Sequence, residues 1–337
     1  MDIFCEKGLR VLVFGGGGGG DVVTATFIAL KLRCLGYKTF IAAAPWERFV
    51  VDPAPGPISI REVHCARQIG EYSAEVNGDC FAVRGGQKVV FQAVNVSQAI
   101  NEPIFICELN SGVEGLYRGL KELIDYLDLD VIIGVDVGGD IIAEGFEKEL
   151  WSPLADQITL SALYRIEKDN LCETLVAIAS IGADGELPRR YILKRISLVA
   201  KENGLLGAFG FGVSDLKYMY LILSKALTEA GKTIPDAIKG YLGYRRIRKG
   251  SRIIYIDVIS TIVFLLKTDT VFKLSSIADK ILYSKSIDEA NQKLIEMGIF
   301  TELELEKELS RIVKSGGTLS GKSIVEIKQN WFKRIRK

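Results

Sequence analysis

The stretch VLVFGGGGGGDVVTA, residues 11–25, decides the fold because six consecutive glycines join an apolar run to a helical segment. The apolar run at 10–14 predicts a strand, and the apolar residues after Asp21 predict a helix. Glycine has no Cβ, so the loop amides can approach an anion closely, and the helix N-terminus adds partial positive charge. We therefore predict that this loop binds a phosphate, a pyrophosphate or a carboxylate through Gly16, Gly17, Gly18, Gly19 and Gly20. A tight turn that binds nothing is the alternative.

The glycine loop is not a Walker A loop, because no Lys-Ser/Thr pair follows it. It satisfies the dinucleotide pattern G-x-G-x-x-G, but six glycines satisfy almost any glycine pattern. In a dinucleotide site an acid after the second strand would bind the ribose, and Glu47 is the residue in that place. Binding of NAD or FAD is therefore kept as an alternative.

The rest of the chain repeats the order of strand, loop and helix. Further strands are predicted at 37–44, 103–109, 130–136, 173–182 and 204–212. Such alternation favours an α/β fold with a mostly parallel sheet and helices on both faces. We predict one α/β domain over residues 1–267, with an irregular insertion at 52–100. Residues 268–337 are predicted to form a C-terminal helical annex that packs on the same domain.

Composition narrows the classes of function. The chain has 337 residues, 48% of them hydrophobic and 25% charged, with a formal net charge of +1, so we expect a globular protein that does not bind nucleic acid. The apolar segment 253–266 contains Asp257, is too short and too polar to span a bilayer, and is predicted to be one buried strand or helix. We expect no secretory signal, no membrane partner and a cytoplasmic location. His64 is the single histidine, so a metal site must be built from carboxylates.

Ligands of open parallel sheets bind where the carboxyl ends of the strands meet. Polar or glycine-rich loops follow five of the predicted strands, which makes a shared polar site at this edge the best interpretation. The candidates for binding after the later strands are Asn110, Ser111, Gly138, Gly139, Gly210 and Gly212.

The acids at the same edge suggest the chemistry. Asp21, Asp136 and Asp140 are the candidate metal ligands, since Mg²⁺ prefers oxygen ligands. The candidate catalytic residues are Asp136, Asp140, Asp184 and Glu108. The alternative for Asp136 and Asp140 is that they cap turns or helices. Asp156 is predicted in the first turn of a helix, where the helix dipole alone explains a carboxylate.

Five segments together carry a family resemblance: FGGGGGGDVVTA, GVDVGGD, SPLADQITLSAL, GADGEL and SIDEANQKLIEMGIFTELELE. They resemble an uncharacterised family found mostly in archaea, the domain of unknown function 1152. They extend from residue 14 to about 306, so the resemblance covers nearly the whole chain. It implies a single Rossmann-like α/β protein and brings no established activity.

The combined expectation is an enzyme that binds a small phosphorylated or anionic ligand, such as a metabolite or nucleotide, with Mg²⁺ as the candidate cofactor. Hydrolysis, isomerisation and group transfer all fit this expectation. A non-catalytic nucleotide or metabolite sensor, or an assembly subunit, is the alternative from another class. An NAD- or FAD-dependent oxidoreductase is the third, and a homo-oligomer stays open.

Overall fold

The structure is a computed structural model and describes residues 8–47, 51–317 and 320–335. Parts of the predicted domain and annex, at 1–7, 48–50, 318–319 and 336–337, therefore lie outside the described residues. The strands in the described part of the chain are β1 (Arg10–Gly15), β2 (Lys38–Ala43), β3 (Val63–His64), β4 (Arg67–Gln68), β5 (Ser73–Val76), β6 (Phe81–Arg84), β7 (Gln87–Val89), β8 (Ile104–Cys107), β9 (Val131–Val137), β10 (Glu173–Ala179), β11 (Leu205–Gly210), β12 (Gly243–Ile247), β13 (Arg252–Ile256) and β14 (Ile262–Lys267).

The helices complete a mixed α/β protein. In the described part of the chain they are α1 (Asp21–Cys34), α2 (Gln92–Ile100), α3 (Gly112–Leu127), α4 (Pro153–Lys168), α5 (Arg189–Lys201), α6 (Leu216–Leu223), α7 (Thr233–Ile238), α8 (Thr268–Leu274), α9 (Ala278–Ile281), α10 (Ile287–Glu296), α11 (Glu302–Lys314) and α12 (Gly321–Ile335). None of these helices has the length and apolar character that crossing a bilayer requires.

The large sheet has nine strands in the order β11-β14-β10-β9-β1-β2-β8-β5-β4. Strands β5 and β14 run opposite to the other seven, so the sheet is mainly parallel. Every residue of β9 is buried. Helices cover both faces of a parallel sheet, so its strands have nearly continuous apolar sequences. The residues of the insertion at 52–100 add β5 and β4 to the sheet and form the separate sheet β3-β6-β7.

The register of the central strands sets where their loops emerge. Gly15 at the end of β1 pairs with Ala43 of β2 and with Val135 of β9. Strand β9 in turn pairs Val137 with Ala179, the last residue of β10. The loops after β1, β9 and β10 therefore leave the sheet at one edge and close together. These three loops carry the glycines and most of the predicted acids.

The segment 253–266 is not one element, as the sequence suggested, but two. Strand β13 pairs with β12 in a two-stranded sheet, whereas β14 lies between β10 and β11 in the large sheet. Asp257 separates the two strands, and its carboxylate accepts the Ile259 amide at 2.9 Å. The polar residue inside the apolar run thus marks a change of sheet.

Candidate active site

The glycine loop lies at the place where the strand order reverses. Among the parallel strands the chain proceeds from β1 to β2 and β8 on one side, then to β9 and β10 on the other. The loop after β1 and the loop after β9 therefore flank one crevice at the carboxyl edge, the usual ligand position in open α/β sheets.

The loop amides are partly committed to the protein itself. Gly16 donates its N–H to Val135 O at 3.3 Å, and Gly19 donates to Trp46 O at 2.9 Å. Gly16, Gly17 and Gly18 are buried, while Gly19 and Gly20 are partly exposed. The six glycines therefore form a packed turn with one partly open end, and the buried end offers fewer amides to an anion than the sequence implied.

Carboxylates occupy the space beside this turn. A Cβ on Gly17 would collide with the Asp21 carboxylate and would lie 2.5 Å from Asp156 Oδ1. A Cβ on Gly138 would overlap the carboxyl group of Asp184, with a Cβ–Cβ distance of 2.9 Å. Both positions need glycine because an acid approaches the backbone, so the loop's neighbours suit a cation better than a bare phosphate.

Five buried acids make up what we call the carboxylate cluster: Asp136, Asp140, Asp156, Asp184 and Glu186. Oxygen atoms of Asp136, Asp140 and Asp156 lie within 4.8 Å of one another. Oxygen atoms of Asp140, Asp184 and Glu186 satisfy the same limit, so Asp140 belongs to both triads. The structure thus brings together three of the four predicted catalytic residues, and it brings Asp21 to the loop beside them.

Burial and mutual repulsion change the protonation of the cluster. Burial, followed by the charge of Asp21, raises the pKa of Asp136 from 3.8 to about 7. Burial and the charge of Glu186 raise the pKa of Asp184 from 3.8 to about 8. Burial also raises the pKa values of Asp140 and Asp156, each helped by neighbouring carboxylates. These acids hold protons near neutral pH because too little positive charge faces them.

Glu186 is the member of the cluster with an arginine partner, whereas Asp136 accepts the backbone amides of Gly139 at 3.3 Å and Ile141 at 3.0 Å. Glu186 forms an ion pair with Arg252 Nη1 at 2.7 Å and accepts the amide of Trp151 at 2.6 Å, as well as the hydroxyl of Ser152. Burial alone would raise its pKa, but Arg252 and these hydrogen bonds lower it to about 2. Glu186 is therefore a fixed anion at the side of the cluster.

The C-terminal helices contribute to this edge. Glu302, at the start of α11, accepts the amides of Leu154 at 3.0 Å and Ala155 at 2.9 Å and so caps the N-terminus of α4. The Lys328 ammonium, on α12, donates to Lys148 O at 2.7 Å and to Leu150 O. Burial lowers the pKa of Lys328 to about 7. Residues far along the chain thus hold the helix that carries Asp156.

Glu108, a predicted acid–base residue, lies at the end of β8 and accepts several hydrogen bonds. The Glu108 carboxylate accepts the hydroxyl of Ser59 at 2.9 Å and the amides of Ile60 at 3.1 Å and Asn110 at 2.9 Å. These bonds fasten the insertion to the end of β8, which is separated from β1 by β2. These contacts give Glu108 a structural role, and its acid–base role stays a prediction.

Other predicted binding residues are divided between the site and more distant positions. Gly138 and Gly139 belong to the loop that carries Asp136 and Asp140. Asn110 and Ser111 lie instead at the start of α3, where the Asn110 amide group donates to Pro57 O at 3.3 Å. Gly210 ends β11 and Gly212 follows it, four strands from β1, which corresponds to roughly 19 Å at about 4.8 Å per strand.

Sequence reasoning underestimated Asp156 and did not select Glu186 or Glu302. Asp156 was explained by the dipole of its helix, but it lies within the first triad. The order of the elements indicates that Asp156 faces the site, because α4 follows β9 and the N-terminus of α4 must therefore lie at the carboxyl edge. Glu302 gave no local signal, since its contact with α4 is tertiary.

The fold and the site define a mixed α/β protein with buried carboxylates at the carboxyl edge of a mainly parallel sheet. The chain belongs to the family described as Protein of unknown function (DUF1152), whose model matches residues 12–310. The resemblance inferred from the sequence is therefore confirmed. Neither the comparison with curated proteins nor the one with solved structures found a match.

Proposed function

We propose that this protein is a divalent-cation-dependent enzyme that acts on a small phosphorylated metabolite or nucleotide, with Mg²⁺ as the cation. One observation carries the proposal: oxygen atoms of three buried carboxylates, Asp136, Asp140 and Asp156, lie within 4.8 Å of one another. Carboxylate oxygens are the ligands that Mg²⁺ prefers, and a divalent charge would replace the protons that these acids otherwise hold.

The architecture supports this proposal. We infer a Rossmann-like sheet, because the order β10-β9-β1-β2-β8 is the order 5-4-1-2-3 of the parallel strands along the chain. In such sheets the crevice beside the first strand is the ligand site, and the cluster borders it. The C-terminal helices would form an annex that completes this edge through Glu302.

The proposal assigns different tasks to the residues at this edge. Asp136, Asp140 and Asp156 would hold the cation, and the partly exposed Asp21 would orient its water ligands. The cation would neutralise phosphate charge and polarise a phosphoryl oxygen. Asp184, whose pKa is raised to about 8, would exchange a proton with the substrate. Gly19 and Gly20, at the open end of the loop, would contact the phosphorylated group.

Two alternatives predict different ligands or no turnover. An NAD or FAD enzyme needs an acid for the ribose, but Glu47 Oε1 accepts the Gln92 amide at 2.8 Å and lies beside Gly19. A pyrophosphate on the buried half of the loop would also meet Asp21 and Asp156. A non-catalytic sensor would use the same pocket, so only turnover separates it from an enzyme.

The test is a thermal-shift screen of nucleotides, sugar phosphates and acyl phosphates, each with Mg²⁺ and with a chelator. A ligand at about 100 times its Kd stabilises the folded state by about 2.7 kcal/mol. We expect Mg²⁺ alone to raise the Tm and one class of phosphorylated compound to raise it further only with Mg²⁺. Hits are then assayed for release or transfer of phosphate. Equal shifts with Mg²⁺ and with chelator would contradict the proposal.

The variant Asp140→Asn separates the cluster from general effects of Mg²⁺. It should abolish the rise in Tm caused by Mg²⁺ and abolish turnover. In chelator it should melt no lower than the wild type, because it removes a carboxyl group from a crowded acidic site. Asp125→Asn, an exposed change on α3, is the matched control and should behave like the wild type. A normal Mg²⁺ response in Asp140→Asn would remove the assignment.

A further inference from the structure

Asp184 is a buried carboxyl group without a hydrogen-bond partner. Only 7% of the Asp184 surface is exposed. Within the described residues neither Oδ1 nor Oδ2 has a hydrogen-bond partner. Leaving a buried polar group unpaired is costly, so such groups in folded proteins call for an explanation. One oxygen of Asp184 lies within 4.8 Å of oxygens of Asp140 and Glu186, in the second triad.

The second triad shares Asp140 with the first. A carboxylate has two oxygens with about four lone-pair sites, so one carboxylate can bind two cations at once. Enzymes that use two metal ions hold them about 3.5–4 Å apart, a separation that a bridging carboxylate spans. The sharing of Asp140 is therefore the arrangement expected where two cations lie side by side.

Glu186 and Gly138 keep the second triad in place. Arg252, the amides of Trp151 and Ser152 and the Ser152 hydroxyl fix the Glu186 carboxylate and occupy its four or so lone-pair sites, so Glu186 adds negative charge beside a cation without coordinating it. The missing Cβ of Gly138 lets Asp184 approach the loop after β9. Both features fix the position of Asp184, whose carboxyl oxygens have no hydrogen-bond partner in the described residues.

We propose that Asp140 and Asp184 form a second divalent-cation site beside the fixed anion of Glu186, with Asp140 bridging it to the site of Asp136 and Asp156. This inference rests on the proposed function, since the first site is part of it, and it replaces the proton exchange assigned there to Asp184 with cation binding. The ligand class is a hard cation such as Mg²⁺ or Mn²⁺, because all donors are carboxylate oxygens. A pair of cations favours substrates with a transferable phosphoryl group over substrates that are only isomerised.

Mn²⁺ tests the inference directly, because it replaces Mg²⁺ at oxygen sites and is paramagnetic. The wild-type chain is titrated with Mn²⁺, bound metal is counted after removal of free ions, and electron paramagnetic resonance is recorded. We expect two Mn²⁺ ions per chain and a spectrum broadened by coupling between neighbouring ions. This measurement needs no variant, so it does not depend on whether a variant folds.

Asp184→Asn identifies the ligands of the second ion. It should bind one Mn²⁺ without coupling, and affinity at the second site should fall by more than about tenfold. Asp125→Asn should bind two ions like the wild type. One uncoupled ion in the wild type would overturn the second site and leave the proposed function standing. No bound ion would overturn both, and two coupled ions in Asp184→Asn would overturn the assignment to Asp184.

Discussion

Two regions of this protein bury acids, and they balance the negative charge differently. In the insertion, Arg84 pairs with Asp52 at 2.8 Å and with Glu62 at 2.7 Å, and we call these three residues the Arg84 cluster. Arg84 Nη2 also donates to Gly56 O at 2.8 Å. The carboxylate cluster has more acids, yet Arg252 pairs only with Glu186 among them in the described structure.

The difference separates a structural use of buried charge from a functional one. A buried ion pair with good hydrogen bonds holds a loop in place, and Arg84 cancels the charge of Asp52, although burial still raises the pKa of Asp52. Several acids with raised pKa values and one guanidinium at their side instead leave negative charge for something else to neutralise. The comparison therefore supports a bound cation at the carboxyl edge and needs none in the insertion.

The largest effect is expected when the Arg84 cluster loses its cation. Arg84→Met leaves Asp52 buried and unpaired, so we expect the free energy of unfolding to fall by about 3–5 kcal/mol. Urea unfolding followed by tryptophan fluorescence measures the change. Arg61→Met, at an exposed position nearby, is the control and should change the free energy by less than about 0.5 kcal/mol. A loss no larger than that of the control would mean that the contrast between the regions is unsound.

A smaller effect is expected when the glycine loop is crowded against the carboxylates. Gly17→Ala puts a Cβ 2.5 Å from Asp156 Oδ1, so we expect a loss of about 1–3 kcal/mol and a weaker rise in Tm with Mg²⁺. Gly212→Ala is the matched control, because its Cβ would meet nothing within 4 Å and its φ is −137°. If both variants melt alike, the loop is not packed against acids as described.

The central strands and their common edge could be predicted from the sequence. Strands β1, β9 and β10 are buried on both faces, so each is a largely apolar run, and glycines and acids lie at its end or within the loop that follows. Once the strands are parallel, the residues that follow them must meet at one edge. This rule alone predicts that Asp136, Asp140 and Asp184 lie at the same edge of the sheet.

The remainder of the site depends on tertiary contacts that leave no local pattern. Asp156 looks like any acid in a first helical turn, and only the packing of α4 on the loop, where Thr159 donates to Gly16 O at 3.2 Å, brings it inward. The structural role of Glu108 depends on Ser59 in the insertion, which the spacing of residues does not reveal. The local sequence pattern predicts which residues lie at the carboxyl edge of the sheet. Tertiary packing determines which of those residues have hydrogen-bond or ion-pair partners.

The smallest effect concerns pH and sharpens the contrast in charge. The pKa of Asp136 is raised from 3.8 to about 7, and that of Asp184 from 3.8 to about 8. Between the unfolded pKa of 3.8 and these raised values, the folded state binds more protons than the unfolded state. Stability from these groups is complete below about pH 4 and is lost as the pH rises through 7 and 8. In chelator we therefore expect the Tm to fall between pH 5 and pH 7, by about 2–4 °C for each kcal/mol lost.

The controls separate this trend from other titrations. Lys328, with a pKa lowered to about 7, acts in the opposite direction, but mainly above pH 7, where the unfolded chain still holds the proton that the folded chain has released. Asp184→Asn should flatten the fall in Tm between pH 5 and pH 7, and Asp125→Asn should preserve it. Saturating Mg²⁺ should also flatten the fall, because a cation stabilises the ionised acids as pH rises. A Tm in chelator that rises over this interval would show that the protein already neutralises the carboxylate cluster, as Arg84 neutralises Asp52.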